Sequence, residues 1–384
     1  DELMRKRVVI AGGGTGGHLY PGIALARALM RHDMDIEISF VGTQKGIEAK
    51  VLPREGFALK TILSAGLLGK KKIARWVSWF KLPIGTAQSM CFLIRKRPGL
   101  VVGVGGYASG PLVLSAWILR IPILIHEQNS IPGMTNKWLG KIADKIAVSF
   151  KESSGAFPKE KVEVTGNMIR EEFCQPKAEN PEKIEGPFRV LVLGGSQGAH
   201  SINMAMVEAL ESLSEKKGDL HITHQTGEVD YETVSKKYKE SKFSCDIRPF
   251  IDDMADQYKK ASLVICRAGA TTLAEVTACG KMSVLVPFPH AAHNHQEKNA
   301  RILEVANAGE LVLDEELSGP RIAGSILQAM EEPERLEVME ENSYKLGNRD
   351  ATEKVRLLCM ELLKDTYRKS GRKKMQGNYV LSCF

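Results

Sequence analysis

A glycine run, Gly12-Gly13-Gly14-Thr15-Gly16-Gly17, ends on His18. The run satisfies Gly-x-Gly-x-x-Gly between an apolar stretch and a helical pattern, so its amides can approach an anion or polar ligand closely. His18, at the loop's mouth, offers an imidazole that can take a proton from an attacking hydroxyl, or else a ring that simply bonds to the backbone at a helix start. The usual ligand of such a loop is a dinucleotide, which wants an acidic residue ending the second strand to hold the ribose hydroxyls. That strand ends Phe40-Val41-Gly42-Thr43, and Glu37 sits too early in it. The dinucleotide-dependent oxidoreductase is therefore a disfavoured alternative.

A second loop, Gly194-Gly195-Ser196-Gln197-Gly198, has the same strand-loop-helix setting and offers amides and a hydroxyl to a phosphate, where a tight turn alone is the competing reading. Arg267-Ala268-Gly269-Ala270-Thr271-Thr272-Leu273-Ala274-Glu275 puts two hydroxyls and a carboxylate at a helix start. Thr271 and Thr272 suit phosphate and Glu275 a ribose diol, unless the segment is only a helix cap. His290, His293 and His295 have no carboxylate at a recognised ligand spacing, so no metal is expected. Gln296 and Asn299 instead suit sugar hydroxyls. Gly105-Gly106-Tyr107-Ala108-Ser109-Gly110-Pro111 and His126-Glu127-Gln128-Asn129 each end a strand and are expected to face the same ligand cleft.

The elements that must carry these residues alternate. Apolar runs at Arg7 to Ala11, Ile36 to Val41, Leu100 to Val104, Ile123 to His126 and Lys145 to Val148 are separated by helical or turn-like sequence, with a helix near Pro21 to Arg31. The pattern restarts at Phe188 to Leu193, with a helix over Ser201 to Leu213 and strands at Leu263 to Cys266 and Ser283 to Val286. This is an α/β chain with two Rossmann-like halves, each a parallel sheet with helices on both faces. The polar stretch about 171–187 reads as a linker, giving an N-terminal domain 1–170 and a C-terminal domain 171–384, with the tail 370–384 unassigned.

Composition is globular: 43% hydrophobic, 26% charged and 35 glycines exclude a disordered or fibrous chain. The net charge of +7 eases attraction of anions without implying nucleic acid. Seven scattered cysteines with no Cys-x-x-Cys suggest a reducing cytosol. Four apolar residues after Arg7 are too few for a secretory signal, and Leu112 to Ile125, interrupted by Arg120 and Pro122, falls short of the roughly 20 residues that span a bilayer. Membrane contact would thus be peripheral. Leu67 to Pro83 sets Leu68, Ile73, Trp76, Trp79 and Phe80 among lysines and arginines, which fits either a helix docking on anionic lipid or an amphipathic core helix.

In order along the chain, these motifs resemble the MurG family of bacterial glycosyltransferases. The resemblance runs from about Arg7 to Leu363 and rests on residues 13 to 18, 105 to 111, 126 to 129, Gly-Asn-Met-Ile-Arg at 166 to 170, 194 to 199, 267 to 270 and His-Asn-His-Gln at 293 to 296. Met168 stands where the family usually has proline, and Asn294 where an acidic residue is common.

The resemblance implies a GT-B fold, two Rossmann-like domains with a cleft between them, and no cofactor. It implies an inverting transfer of N-acetylglucosamine from UDP-N-acetylglucosamine to the C4 hydroxyl of the muramyl sugar of lipid I, forming lipid II for peptidoglycan synthesis, cell shape and division. Donor contacts would fall on Thr15, Gly16, Gly17, Asn129, Arg170, Ser196, Ile251, Ala270, Thr271, Thr272, Leu273, Ala274, Glu275 and Gln296, with His18 as base. The enzyme would work at the cytoplasmic face of the inner membrane. A GT-B transferase for another lipid or small acceptor remains the alternative within the fold, and a nucleotide-sugar binder without turnover the alternative outside catalysis.

Overall fold

The structure is a computed structural model and describes residues 6–44, 46–64, 72–174 and 186–365, without the side chains of 72–81 and 292. Its contacts divide the chain into two units. One holds the described residues up to Met168 and again from Asp350; the other is Ile169–Arg349.

The first unit runs β1 (Arg7–Ala11), α1 (Gly16–His32), β2 (Glu37–Gly42), α2 (Glu48–Arg54), β3 (Ala58–Thr61), α3 (Lys72–Lys96), β4 (Leu100–Gly103), α4 (Ser109–Ile118), β5 (Ile123–Glu127), α5 (Met134–Leu139), β6 (Lys145–Val148) and β7 (Val162–Val164). The strands are parallel, in the order β3-β2-β1-β4-β5-β6-β7. Alternation along β1 shows why it is apolar throughout. Val8 and Ile10 join one buried cluster while Val9 and Ala11 join another, so each face of the sheet carries its own helical layer.

The second unit repeats the plan with β8 (Phe188–Leu193), α6 (His200–Ser212), β9 (Leu220–Gln225), α7 (Tyr231–Ser241), β10 (Ser244–Arg248), α8 (Met254–Lys260), β11 (Leu263–Cys266), α9 (Ala270–Ala278), β12 (Ser283–Leu285), α10 (His295–Val305), β13 (Gly309–Leu311), α11 (Gly319–Glu331) and α12 (Pro333–Leu346). Its parallel sheet has the order β10-β9-β8-β11-β12-β13. In β8, Val190 and Val192 face one core, and Leu191 and Leu193 the other. In both parallel sheets the order of strand addition switches sides at the first strand, which brings β4 beside β1 and β11 beside β8. Open sheets of this kind bind ligands at the carboxyl ends of strands at such a point.

Two expectations differ from the structure. The sequence reading runs the C-terminal domain to 384, whereas a last helix, α13 (351–365), packs in the first unit. Its stripe Val355, Cys359, Leu362 and Leu363 is buried in the cluster that holds Val8, Ile10, Leu25 and Leu29. At roughly 1.5 to 3 kcal/mol for each large aliphatic side chain buried, this stripe outweighs nearness in sequence. The helix expected from Pro21 begins at Gly16, so the last glycines of the run and His18 form its first turn. Residues 175–185, most of the expected linker, and the tail 370–384 lie outside the described residues.

Candidate active site

At the carboxyl end of β1, inside the first sheet, the glycine run turns through Gly13 and Gly14, whose φ angles of 153° and 85° favour glycine. Thr15 is exposed and caps α1 by position without a side-chain bond to the helix. Its Oγ1 lies 3.0 Å from His18 Nδ1. The His18 ring packs over Gly105 at the end of β4, where a Cβ would come within 2.4 Å of Cδ2. Ser109 fixes that neighbouring loop by donating to Ala11 O at 3.0 Å and Gly105 O at 2.7 Å.

Glu48 was not anticipated. It is fully buried, and its carboxylate accepts Gly14 N–H at 2.8 Å, Thr43 N–H at 2.7 Å and the Thr43 hydroxyl at 2.8 Å. Gly13, Gly42 and Gly46 surround it so closely that a Cβ on any of them would collide with the carboxyl group. The Gly14 amide, which a pyrophosphate would want, is therefore committed to a protein carboxylate. Glu37 lies at the opposite, amino end of β2, bonded to Arg7 at 3.1 Å and Lys96 at 2.5 Å. Both facts count against a dinucleotide.

The end of β5 is built around two buried ionisable groups. His126 is fully buried, with Nε2 3.3 Å from Gly166 O; burial, and then the nearby His18 charge, lower its pKa to about 4 against the carbonyl's opposing pull. Glu127 accepts from Asn129 N at 2.9 Å, Asn129 Nδ2 at 3.3 Å, Gly133 N at 3.1 Å and Asn136 Nδ2 at 2.9 Å. Burial raises its pKa in spite of these donors. Asn129 is thereby held half-exposed at the strand end.

In the second unit, Gln225 at the end of β9 joins two segments. Its Nε2 donates to Gly195 O at 2.8 Å, and its Oε1 accepts Ile251 N–H at 2.9 Å. Ser196 is thus carried on a loop fixed to Ile251. Gly198 and Gly227 meet so closely that a Cβ on Gly198 would fall 1.9 Å from Thr226 O. Arg267 ties three further segments together, donating to Val286 O and Pro287 O of one, to Asp314 at 2.7 Å and to Ser201 at 2.7 Å.

Beside β8, the amino end of α9 presents Ala270, Thr271 and Thr272 on a Gly269 cap. Helix starts of this kind favour anions through their outward N–H groups. Glu275, one turn on, is half-buried, and burial pushes its pKa up to about 7, with Arg170 opposing and Glu172 assisting the rise. Arg170 bonds Glu172 at 2.9 Å and stacks over Phe173 at 4.8 Å.

The expected residues thus gather in two groups. Thr15, Gly16, Gly17, His18 and Asn129 lie at the strand ends of the first unit. Arg170, Ser196, Ile251, Ala270 to Glu275 and Gln296 lie in the second. Ile251 and Leu273 are core residues whose side chains are 2% exposed, so only their main chain is available to a ligand. Gln296 Oε1 accepts Phe288 N–H at 3.0 Å, which leaves this oxygen committed to the protein, while Asn299, expected to meet a sugar, is fully buried. His293 and Asn294 are both left-handed, and Asn294 is bonded to Glu297, so the histidine segment is a turn. Met168 is fully buried in the first unit's core. No cluster of metal-binding type occurs among the described residues. Leu68 lies outside the described residues, as do the side chains of Ile73, Trp76, Trp79 and Phe80, whose backbone belongs to α3.

Comparison with known proteins places the same two units side by side in sequence. Residues 8–148 match the glycosyltransferase family 28 N-terminal domain and residues 189–355 the corresponding C-terminal domain. The chain is 49% identical to a UDP-N-acetylglucosamine--N-acetylmuramyl-(pentapeptide) pyrophosphoryl-undecaprenol N-acetylglucosamine transferase of Geobacter sulfurreducens, over 91% of this chain and 96% of that one. It is 45% identical to the protein of the same name from Myxococcus xanthus, over 96% of each. A crystal structure of Acinetobacter baumannii MurG superimposes with a TM-score of 0.72 at 29% identity, covering 93% of this chain and 99% of that one.

Proposed function

The chain belongs to glycosyltransferase family 28, within its MurG family, and on that premise we propose that it moves N-acetylglucosamine from UDP-N-acetylglucosamine to N-acetylmuramyl-(pentapeptide) pyrophosphoryl-undecaprenol. The observation that carries this reading is the second unit's edge. A helix start with two threonines, the Ser196 loop, the Arg170 cation and the Glu275 carboxylate suit a nucleoside diphosphate: amides and cation for phosphate, carboxylate for the ribose diol.

The muramyl C4 hydroxyl attacks the donor's anomeric carbon from the face opposite UDP, so the configuration inverts. His18 takes the hydroxyl proton as the new C–O bond forms and the bond to the UDP oxygen breaks; a positioned base of this kind is worth roughly 10² to 10⁴ in rate. The charge gathering on UDP is offset by Arg170 and by helix starts, each dipole contributing roughly 0.3 to 1 kcal/mol. The product feeds peptidoglycan synthesis and, through it, cell shape and division.

The acceptor's polyprenyl chain stays in the bilayer, which supports action as a peripheral protein at the cytoplasmic face of the plasma membrane. No helix among the described residues is long and apolar enough to cross a membrane. The first unit exposes Trp117 (52%) and Trp138 (65%), with Lys141 4.6 Å over the latter ring. Replacing Trp76, Trp79 and Phe80 by serine should weaken sedimentation with anionic vesicles; wild-type binding would refute that docking face.

The function is tested by incubating the protein with UDP-N-acetylglucosamine and a short-chain analogue of the acceptor, and weighing the product by mass spectrometry. Gain of one N-acetylhexosamine is expected. Donor binding without transfer would point to another acceptor or a non-catalytic binder, and absence of donor binding would overturn the reading.

A further inference from the structure

Glu48 has no part in the reaction as written above, yet its side chain is bonded to the turn of the glycine run. Three donors converge on it and no acceptor does, which matches the acceptor-only character of a carboxylate. One oxygen takes both Thr43 donors; the other takes Gly14 N–H. The group is fully buried, and glycines at 13, 42 and 46 leave room for nothing else. Gly14 itself, with φ 85°, occupies backbone that would readily relax without a partner.

Gly14 is followed directly by Thr15, whose hydroxyl meets His18, and Thr15 O accepts the His18 and Leu19 N–H groups that start α1. The chain of contacts from Glu48 to the imidazole is therefore one turn of backbone and one side-chain bond. We propose that Glu48 is a positioning residue: by holding the Gly13–Gly14 turn against Thr43 it sets the Thr15–His18 pair, and with it the acceptor side of the reaction. The inference rests on the reading of His18 as base only for its last link.

Glutamine at 48 keeps the shape but turns one acceptor into a donor facing Gly14 N–H or Thr43. Glu48→Gln is expected to lower kcat about 10- to 100-fold, the scale on which misplaced reacting groups cost rate. The KM for the short-chain acceptor should rise, while the KM for UDP-N-acetylglucosamine, most of whose proposed contacts (Arg170, Ser196, Ile251, Ala270 to Glu275 and Gln296) lie in the other unit, should stay within about twofold. Added to His18→Ala, the same change should cost less than about twofold further, because both act through one group. Thr43→Val, which removes a single donor, should show the same split at about 3- to 10-fold, and it decides the matter if Glu48→Gln does not fold. Wild-type kcat and acceptor KM in the folded variant would overturn the proposal, as would losses that multiply with those of His18→Ala. If His18→Ala turns over normally, the base assignment alone falls, and Glu48 is still judged by its own donor–acceptor split.

Discussion

Thr15 Oγ1 stands 3.0 Å from His18 Nδ1, a contact that bears directly on the proposal that His18 is the base. In the proposed mechanism an imidazole that accepts a proton at Nε2 carries its own on Nδ1, and the threonine oxygen lies within reach to accept a bond from it. Thr15→Ser preserves that bond and should retain kcat within a few-fold. Thr15→Val removes it and should lower kcat about tenfold, the value of one oriented hydrogen bond. Steady-state kinetics on both variants checks this, and equal activity of the two would separate Thr15 from the base.

Glu275 predicts a pH dependence of donor binding. Its folded pKa of about 7 lies above the ordinary 4.5, so the neutral form predominates below neutrality and the free protein loses stability as pH rises from 4.5 through about 7. Ribose hydroxyls donate best to the ionised form. The donor KM should therefore fall by up to about tenfold between about pH 6 and about pH 8, and Glu275→Gln should weaken binding and flatten the curve. A wild-type donor KM independent of pH over that range would contradict the assignment.

Gln225 works at a distance from any reacting atom. It holds the Ser196 loop and the Ile251 segment together through one amide, and Gln225→Leu leaves the Gly195 carbonyl and Ile251 N–H without that partner. Each such loss is worth about 1 kcal/mol. Donor affinity by calorimetry should drop roughly tenfold, while kcat at saturating donor stays within about threefold.

Two buried histidines set the acid limit of stability. Burial lowers His126 to about 4 and His224 to about 3, from 6.5. His224 is enclosed by Asn203 Oδ1 at 2.9 Å and Tyr238 Oη at 3.2 Å. The stability of keeping each neutral is complete above pH 6.5 and is lost as pH falls toward the folded value. NMR titration should find neither ring titrating near pH 6.5; either one doing so would contradict the burial described.

The sheets were legible in the sequence because parallel strands buried on both faces are short unbroken apolar runs: β1, β6, β8 and β11 fall where the runs Arg7–Ala11, Lys145–Val148, Phe188–Leu193 and Leu263–Cys266 do. The short half-exposed edge strands β3 and β10, whose residues are largely polar or partly covered, gave no such run. Nor did α13 announce its partner, since an apolar stripe shows that a helix packs but not on which core. The ligand-facing loops carried glycine signals. Glu48 carried none of its own: it lies beyond the turn that follows β2, not at the strand end where a ribose-binding acid is expected, and reaches its place only through tertiary folding. Gln225 and Arg267 are likewise positioned by strand order, which brings sequence-distant strand ends together.

The most direct test of the account is a rapid-quench comparison of wild type and His18→Ala, using radiolabelled UDP-N-acetylglucosamine and the short-chain acceptor, with donor affinity measured in parallel. The account predicts transfer to the acceptor by wild type and a loss of about 10² or more in the chemical step of His18→Ala, with donor affinity unchanged. Wild-type rates in His18→Ala would remove the base from the mechanism, and absence of transfer by the wild-type protein would contradict the account at its centre.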